Sequence, residues 1–256
     1  MDVRSRMYKH GNDPTPENCD MPCDKIYRHR YHETFSSYLS RLDNTQGAGM
    51  IEIGCDNGAS TLMWIKTFPH VHLYTCDIHD CPARSNFVID SNDHEINSRY
   101  TFMQADQSDE SQLEQFMSCV THPIYFINDD GSHIPDHQLL TFNKMFPLLK
   151  PGGVYIIEDI ETSYWVRGDM GELCAGIDRE SRQFNYGADH PGSILNIFKD
   201  VIDCINLKNI PELQPDSAVM HQDMIQSITF AANCIIIVKG VQHGIESTYN
   251  KYMISK

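Results

Sequence analysis

YFINDDGSHIPDHQLLTFNKMFPLLKPGGVYIIEDIETSYW, residues Tyr125–Trp165, is the stretch from which the rest of the chain can be read. It carries two acidic clusters: Asp129-Asp130 followed by His133, and Glu158-Asp159. Each closes a short apolar run, Ile124–Ile127 and Val154–Ile157. Runs rich in β-branched and aromatic residues read as strands buried on both faces. Between them Leu139, Phe142, Phe146 and Leu149 recur at helical spacing, and Pro135 stands where a first helical turn tolerates it. Lys150-Pro151-Gly152-Gly153 then breaks the helix and turns the chain.

The lengths agree with a strand–helix–strand unit. About fourteen helical residues cover roughly 21 Å, and a six-residue strand covers roughly 20 Å. A right-handed crossover makes the two strands parallel, and as neighbours they would lie about 4.8 Å apart. Both acidic clusters then emerge at one carboxyl edge, where open α/β sheets bind ligands. Carboxylates crowded on one rim repel each other unless a cation joins them, which points to a divalent metal.

Working outward, the chain alternates strand and helix. Met50–Ile53 is a buried strand ending in Gly54-Cys55-Asp56-Asn57-Gly58, with a helix from near Ala59. Val71–Cys76 ends at Asp77, and Tyr100–Gln104 ends at Ala105-Asp106. A helix over Glu110–Cys119 leads into the opening stretch. Ile194, Ile197, Phe198, Val201, Ile202 and Ile205 mark a late amphipathic helix, and Ser227–Ala231 with Cys234–Lys239 form a hairpin. The class is α/β: a Rossmann-like, doubly wound, mostly parallel seven-stranded sheet with a C-terminal antiparallel hairpin. Before the first strand, Ile26, Tyr31, Phe35, Tyr38, Leu39 and Leu42 suggest one amphipathic helix. Met1 to Pro22, with its prolines and weak apolar period, reads as an arm or loop that orders on binding or oligomerisation. Residues 166–191 read as a long functional loop, a lid or substrate wall. The expected division is an arm over residues 1–24 and one domain over residues 25–256.

With 256 residues, 41% of them hydrophobic, the chain can bury a sizeable core. A net charge of −15 excludes a general nucleic-acid surface, and the basic cluster Lys25-Ile-Tyr-Arg28-His-Arg30 is too small to supply one. Nine cysteines and a polar, charged opening without a secretory core suggest free thiols in the cytoplasm. Cys19-x3-Cys23 and Cys76-x4-Cys81 lack the pairing of a structural zinc site. The longest aliphatic run, Ile235–Val238, is too short to span a membrane.

Glu52-x-Gly54-x-x-x-Gly58 resembles the first motif of Rossmann-like S-adenosylmethionine (SAM) methyltransferases. It departs from the dinucleotide fingerprint, because Asp56 replaces the glycine that lets backbone reach pyrophosphate. An acidic rim suits the cationic sulfonium and ammonium of SAM. Asp77, ending the second strand, can accept both ribose hydroxyls, and Asp106, ending the third, can reach the adenine amino group. Asn57, Ile78 and Asp129 complete the candidate cofactor set.

Asp129-Asp130-Gly-Ser-His133, then Leu149-Lys-Pro-Gly-Gly-Val-Tyr-Ile-Ile-Glu158-Asp159, then Thr162-Ser-Tyr-Trp165 resembles the macrolide-sugar O-methyltransferases of the mycinamicin and demethylmacrocin type. The resemblance spans about Lys25 to Trp165 and returns at the terminal hairpin. It implies methyl transfer to a sugar hydroxyl, with a deoxyhexose such as rhamnose, in a glycan or glycoside, as acceptor. It also implies a magnesium or manganese ion held by Asp130, Glu158 and Asp159, with His133 as general base beside Asp130. The chemistry of the residues agrees: a sugar hydroxyl is a weak nucleophile, helped by a metal that lowers its pKa and an imidazole that takes its proton. Two alternatives stay open, a metal-dependent catechol or small-diol methyltransferase and a SAM-binding module without catalysis.

Overall fold

A computed structural model describes residues 1–12, 23–80, 94–164, 190–207 and 217–240 of the chain. Its strands are β1 (Gly49–Ile53), β2 (His72–Asp77), β3 (Tyr100–Gln104), β4 (Ile124–Asp129), β5 (Leu149–Glu158), β6 (Ile225–Ala231) and β7 (Cys234–Lys239). They form one seven-stranded sheet in the order β3-β2-β1-β4-β5-β7-β6. The first five are parallel, and β7 runs antiparallel to both β5 and β6. The expected architecture is therefore present, hairpin included.

Helices α1 (Val3–Asn12), α2 (Asp24–Tyr27), α3 (Tyr31–Phe35), α4 (Ser40–Asn44) and α5 (Ala59–Thr67) supply one apolar layer. Trp64, Phe35 and Met7 pack there against Met50, Phe126 and Ile156. Beyond α6 (His94–Ser98), helices α7 (Glu110–Ser118), α8 (Pro135–Met145) and α9 (Ile194–Leu207) cover the other face. Phe142 meets Tyr155 and Phe198 edge-on, at ring separations of 5.0 Å in both cases. Such pairs add about 0.5–1.5 kcal/mol beyond their buried area.

Three local expectations are corrected. Residues Val3–Asn12 form a helix rather than a loop, because Val3, Met7 and Gly11 recur every fourth residue and face inward. Gly11 lets α1 lie against Ile26, whose side chain a Cβ would overlap. The single helix expected through Ile26–Leu42 is instead α2, α3 and α4. Arg30 interrupts it in the left-handed region at φ 55°, while the periodic residues Ile26, Tyr31, Phe35, Leu39 and Leu42 remain buried. Strand β5 starts at Leu149, not Val154, with Lys150–Gly153 taken up as an irregularity between the Ile124–Leu149 and Phe126–Val154 pairs.

Register places the chemistry. Ile53 pairs with Cys76 and Asp129, and Asp129 pairs with Ile157. The segments after β1, β2, β4 and β5 thus leave the sheet at one edge. The lid expected over residues 166–191, Trp165 and the cysteines Cys19 and Cys81 lie outside the described residues, apart from His190 and Pro191 at that loop's end. No helix among the described residues is long and apolar enough to cross a membrane.

Candidate active site

At this carboxyl edge lies a cavity of about 830 Å³, whose lining includes Gly54, Asp77, Ile78, Asp106, Asp130 and His133. Gly54 leaves β1 at φ 79°, and a Cβ there would overlap the carbonyl oxygen of Asp130. Only glycine allows the loops after β1 and β4 to come so close. Gly58, at φ 83°, is the residue before α5, and Asn57 Oδ1 accepts from the Ala59 amide at 3.0 Å. The turn's amides are oriented by the neighbouring strand: Asp77 Oδ2 accepts from Cys55 N at 2.9 Å and Asp56 N at 3.1 Å. Asp106 Oδ1 accepts from the Ser108 amide and hydroxyl, at 2.8 and 2.7 Å. Ile78 is half exposed over the cavity.

Two of the carboxylates expected at the cofactor, Glu52 and Asp129, are not in the cavity lining. Glu52 is fully buried beneath the turn, accepting from Thr61 Oγ1 at 2.7 Å and Trp64 Nε1 at 2.9 Å. Strand alternation points it into the α5 layer, where it ties β1 to that helix. Asp129 is also fully buried and accepts from Gln107 Nε2 at 2.7 Å and Tyr155 Oη at 3.1 Å. Burial pushes its carboxyl up to about 7, against the pull of those hydrogen bonds. Gln107 ties this floor to the loop above, because its Oε1 accepts the Ser132 amide at 2.8 Å.

The second half of the site is built from strained backbone. His133 and Asp159 both sit in the left-handed region, at φ 57° and 51°. Such conformations persist only where surrounding contacts hold them. The His133 carbonyl accepts from Thr162 Oγ1 at 2.9 Å, and its Nε2 lies 3.7 Å from Asp159 Oδ2. Donor atoms of Asp130, His133 and Asp159 all fall within 4.8 Å of one another. Glu158, expected in the same ligand set, lies deeper, 2% exposed, with Oε1 buried and without a hydrogen-bond partner.

Two contributors escaped sequence reasoning. Asn233, in the β6–β7 turn, donates Nδ2 to Asp159 Oδ1 at 2.7 Å and accepts from the Glu161 amide at 2.9 Å. Lys25, read only as part of a small basic cluster, is 1% exposed. Its ammonium donates to Asp130 Oδ2 and, at 2.9 Å, to Glu158 Oε2. Burial alone would lower the Lys25 pKa, but Asp130 and Glu158 carry it well above the ordinary range, so it stays charged. Burial likewise raises the Glu158 carboxyl, with Lys25 opposing. The signal in the sequence for either residue was weak: one lysine before an apolar period, one asparagine in a hairpin turn.

Comparison with known proteins bears on this site. Residues 51–160 match the family described as a methyltransferase domain. The chain is 33% identical over 141 residues to the 8-demethyl-8-alpha-L-rhamnosyl tetracenomycin-C 2'-O-methyltransferase of Streptomyces olivaceus, covering 54% of this chain and 34% of that protein. It is 31% identical over 154 residues to the mycinamicin VI 2''-O-methyltransferase of Micromonospora griseorubida, covering 60% and 32%. With the demethylmacrocin O-methyltransferase of Streptomyces fradiae it shares 28% over 189 residues, covering 72% and 40%. The chain therefore spans about a third to two fifths of these relatives' lengths. Among solved structures, the MycE methyltransferase of the mycinamycin pathway, in complex with Mg, SAH and mycinamycin VI, superposes with a TM-score of 0.67. That match has 23% identity over 96% of this chain and 57% of the other. Residues 51–160 thus match a methyltransferase-domain family, within a Rossmann-like fold, and the chain is similar in sequence to the macrolide-sugar O-methyltransferases.

Proposed function

We propose that the chain transfers a methyl group from SAM to a hydroxyl of a sugar, a deoxyhexose in a glycoside or glycan, with a divalent ion at the site. The carrying observation is the meeting of Asp130, His133 and Asp159 beside the cavity that Gly54, Asp77 and Asp106 line. In the relatives' names the methyl acceptors are sugar positions of glycosylated natural products, and MycE was solved with Mg and SAH. The methyltransferase unit is residues 25–256, with residues 1–24 as an arm whose helix α1 packs onto it. A reducing, cytoplasmic setting belongs to the same proposal.

The residues present fit both groups. The unpartnered, buried Glu158 Oε1 and the convergent oxygens of Asp130 and Asp159 are hard donors of the kind magnesium and manganese take. Asp77 and Asp106 end successive strands, where they would receive the ribose and adenine ends of the nucleoside, with Ile78 as an apolar wall. SAM supplies the methyl group, and the ion, held by Asp130, Glu158 and Asp159, supplies a Lewis acid that makes the acceptor hydroxyl more acidic. His133 takes the hydroxyl proton at Nε2, with the Asp159 carboxylate near enough to stabilise the resulting imidazolium. Thr162 and Asn233 hold those two groups in place.

The test is a methyl-transfer screen over deoxyhexose glycosides, with the modified position read by mass spectrometry or NMR. EDTA should abolish turnover, and magnesium or manganese should restore it. Full turnover in EDTA, or transfer to catechols and to no glycoside, would overturn the reading.

A further inference from the structure

Lys25 is used by nothing in that mechanism, yet no other lysine or arginine among the described residues is ion-paired to Asp130, Glu158 or Asp159. It enters from α2, outside residues 51–160, and reaches between the ends of two neighbouring strands. Its ammonium takes Asp130 Oδ2 and Glu158 Oε2 together, leaving Glu158 Oε1 buried and unpartnered. Glu52 also faces this side of the sheet, through its bonds to Thr61 and Trp64 of α5, and its charge acts on Lys25. Without the ammonium, the buried carboxylates of Glu158 and Glu52 and the partly buried one of Asp130 would crowd together with no lysine or arginine counter-charge, an arrangement that folding disfavours.

We propose that Lys25 is a positioning residue, a built-in counter-ion that holds Asp130 and Glu158 together in the ion-free protein and loosens the site's grip on a divalent ion. The inference rests on the reading that this acidic set holds such an ion. The physical reason is sharing. Two oxygens committed to Lys25 are less available to a metal, and a fixed positive charge a few ångströms away opposes the incoming one. The site is then assembled before the ion arrives, and the ion can exchange.

The experiment compares wild type, Lys25→Met and Lys25→Met/Glu158→Gln by Mn2+ titration (EPR or calorimetry) and by thermal melting in EDTA and in saturating Mn2+. Lys25→Met should melt below wild type in EDTA, and the gap should close with Mn2+. It should also bind Mn2+ at least about tenfold more tightly, since repulsion is removed and Glu158 is released. The double variant, which removes both charges of the pair, should regain most of the ion-free stability and bind Mn2+ with an affinity nearer that of wild type. Unchanged or weaker Mn2+ affinity in Lys25→Met, or a melting deficit the same with and without Mn2+, would overturn the proposal. So would a Lys25→Met protein that stays unfolded in saturating Mn2+, because that marks a purely packing role. A wild type that binds no Mn2+ would instead remove the divalent-ion reading itself, and this inference with it.

Discussion

Asn233 and Asp159 meet across the site, Nδ2 to Oδ1 at 2.7 Å, so the antiparallel hairpin at the end of the sheet holds a carboxylate that follows a parallel strand. Both residues are in the left-handed region, at φ 58° and 51°. Removing the Asn233 side chain should therefore loosen Asp159, and Asn233→Ala and Asn233→Gly should both lose turnover. Alanine carries an added backbone penalty of about 1–2 kcal/mol that glycine avoids. Urea denaturation should find Asn233→Ala the less stable of the two by about that amount; equal midpoints would refute the argument.

Asp77 links the turn after β1 to the ligand cavity through Cys55 N and Asp56 N. Asp77→Ala should weaken SAM binding by roughly 10- to 100-fold, the worth of lost charge-assisted hydrogen bonds of about 1.5–3 kcal/mol. Calorimetric titration with SAM measures this directly. Wild-type affinity in the variant would remove Asp77 from the cofactor site.

His133 needs a replacement that tolerates its φ of 57°. Asparagine adopts that region readily, so His133→Asn keeps the turn while removing the base. Single-turnover rates should fall about 10²–10⁴-fold, with SAM affinity retained. A rate within a few-fold of wild type would exclude His133 as the proton acceptor.

Far from the site, His72 stacks on His122 at 4.6 Å and bonds Thr101 Oγ1 at 2.8 Å. Burial first, then the charges of His122 and Arg99, lowers its pKa from 6.5 to about 4. Between those values the unfolded chain binds a proton there and the folded chain does not, so stability falls as pH drops from 6.5 towards 4. His72→Gln should flatten that part of the profile. Urea midpoints at pH 7 and pH 4.5 check it, and an equal drop in wild type and variant would assign the acid sensitivity elsewhere.

The sequence by itself determined the sheet. Apolar runs of four to six residues separated by helical periods leave few topologies, and each run ended in the residue that β4, β5, β2 or β3 presents at the carboxyl edge. That Asp77, Asp106, Asp130, His133 and Asp159 line one cavity was legible for that reason: strand ends are fixed by local pattern, and parallel strands bring their ends together. That Glu52 and Asp129 are buried away from the cavity lining was not legible, because one residue along a strand reverses the face, and the pattern alone does not say which acid points down. Lys25 and Asn233 were decided only by tertiary structure. Each lies over 70 residues from its partner, in a short helix or a hairpin turn, and reaches the site through packing that no local period encodes.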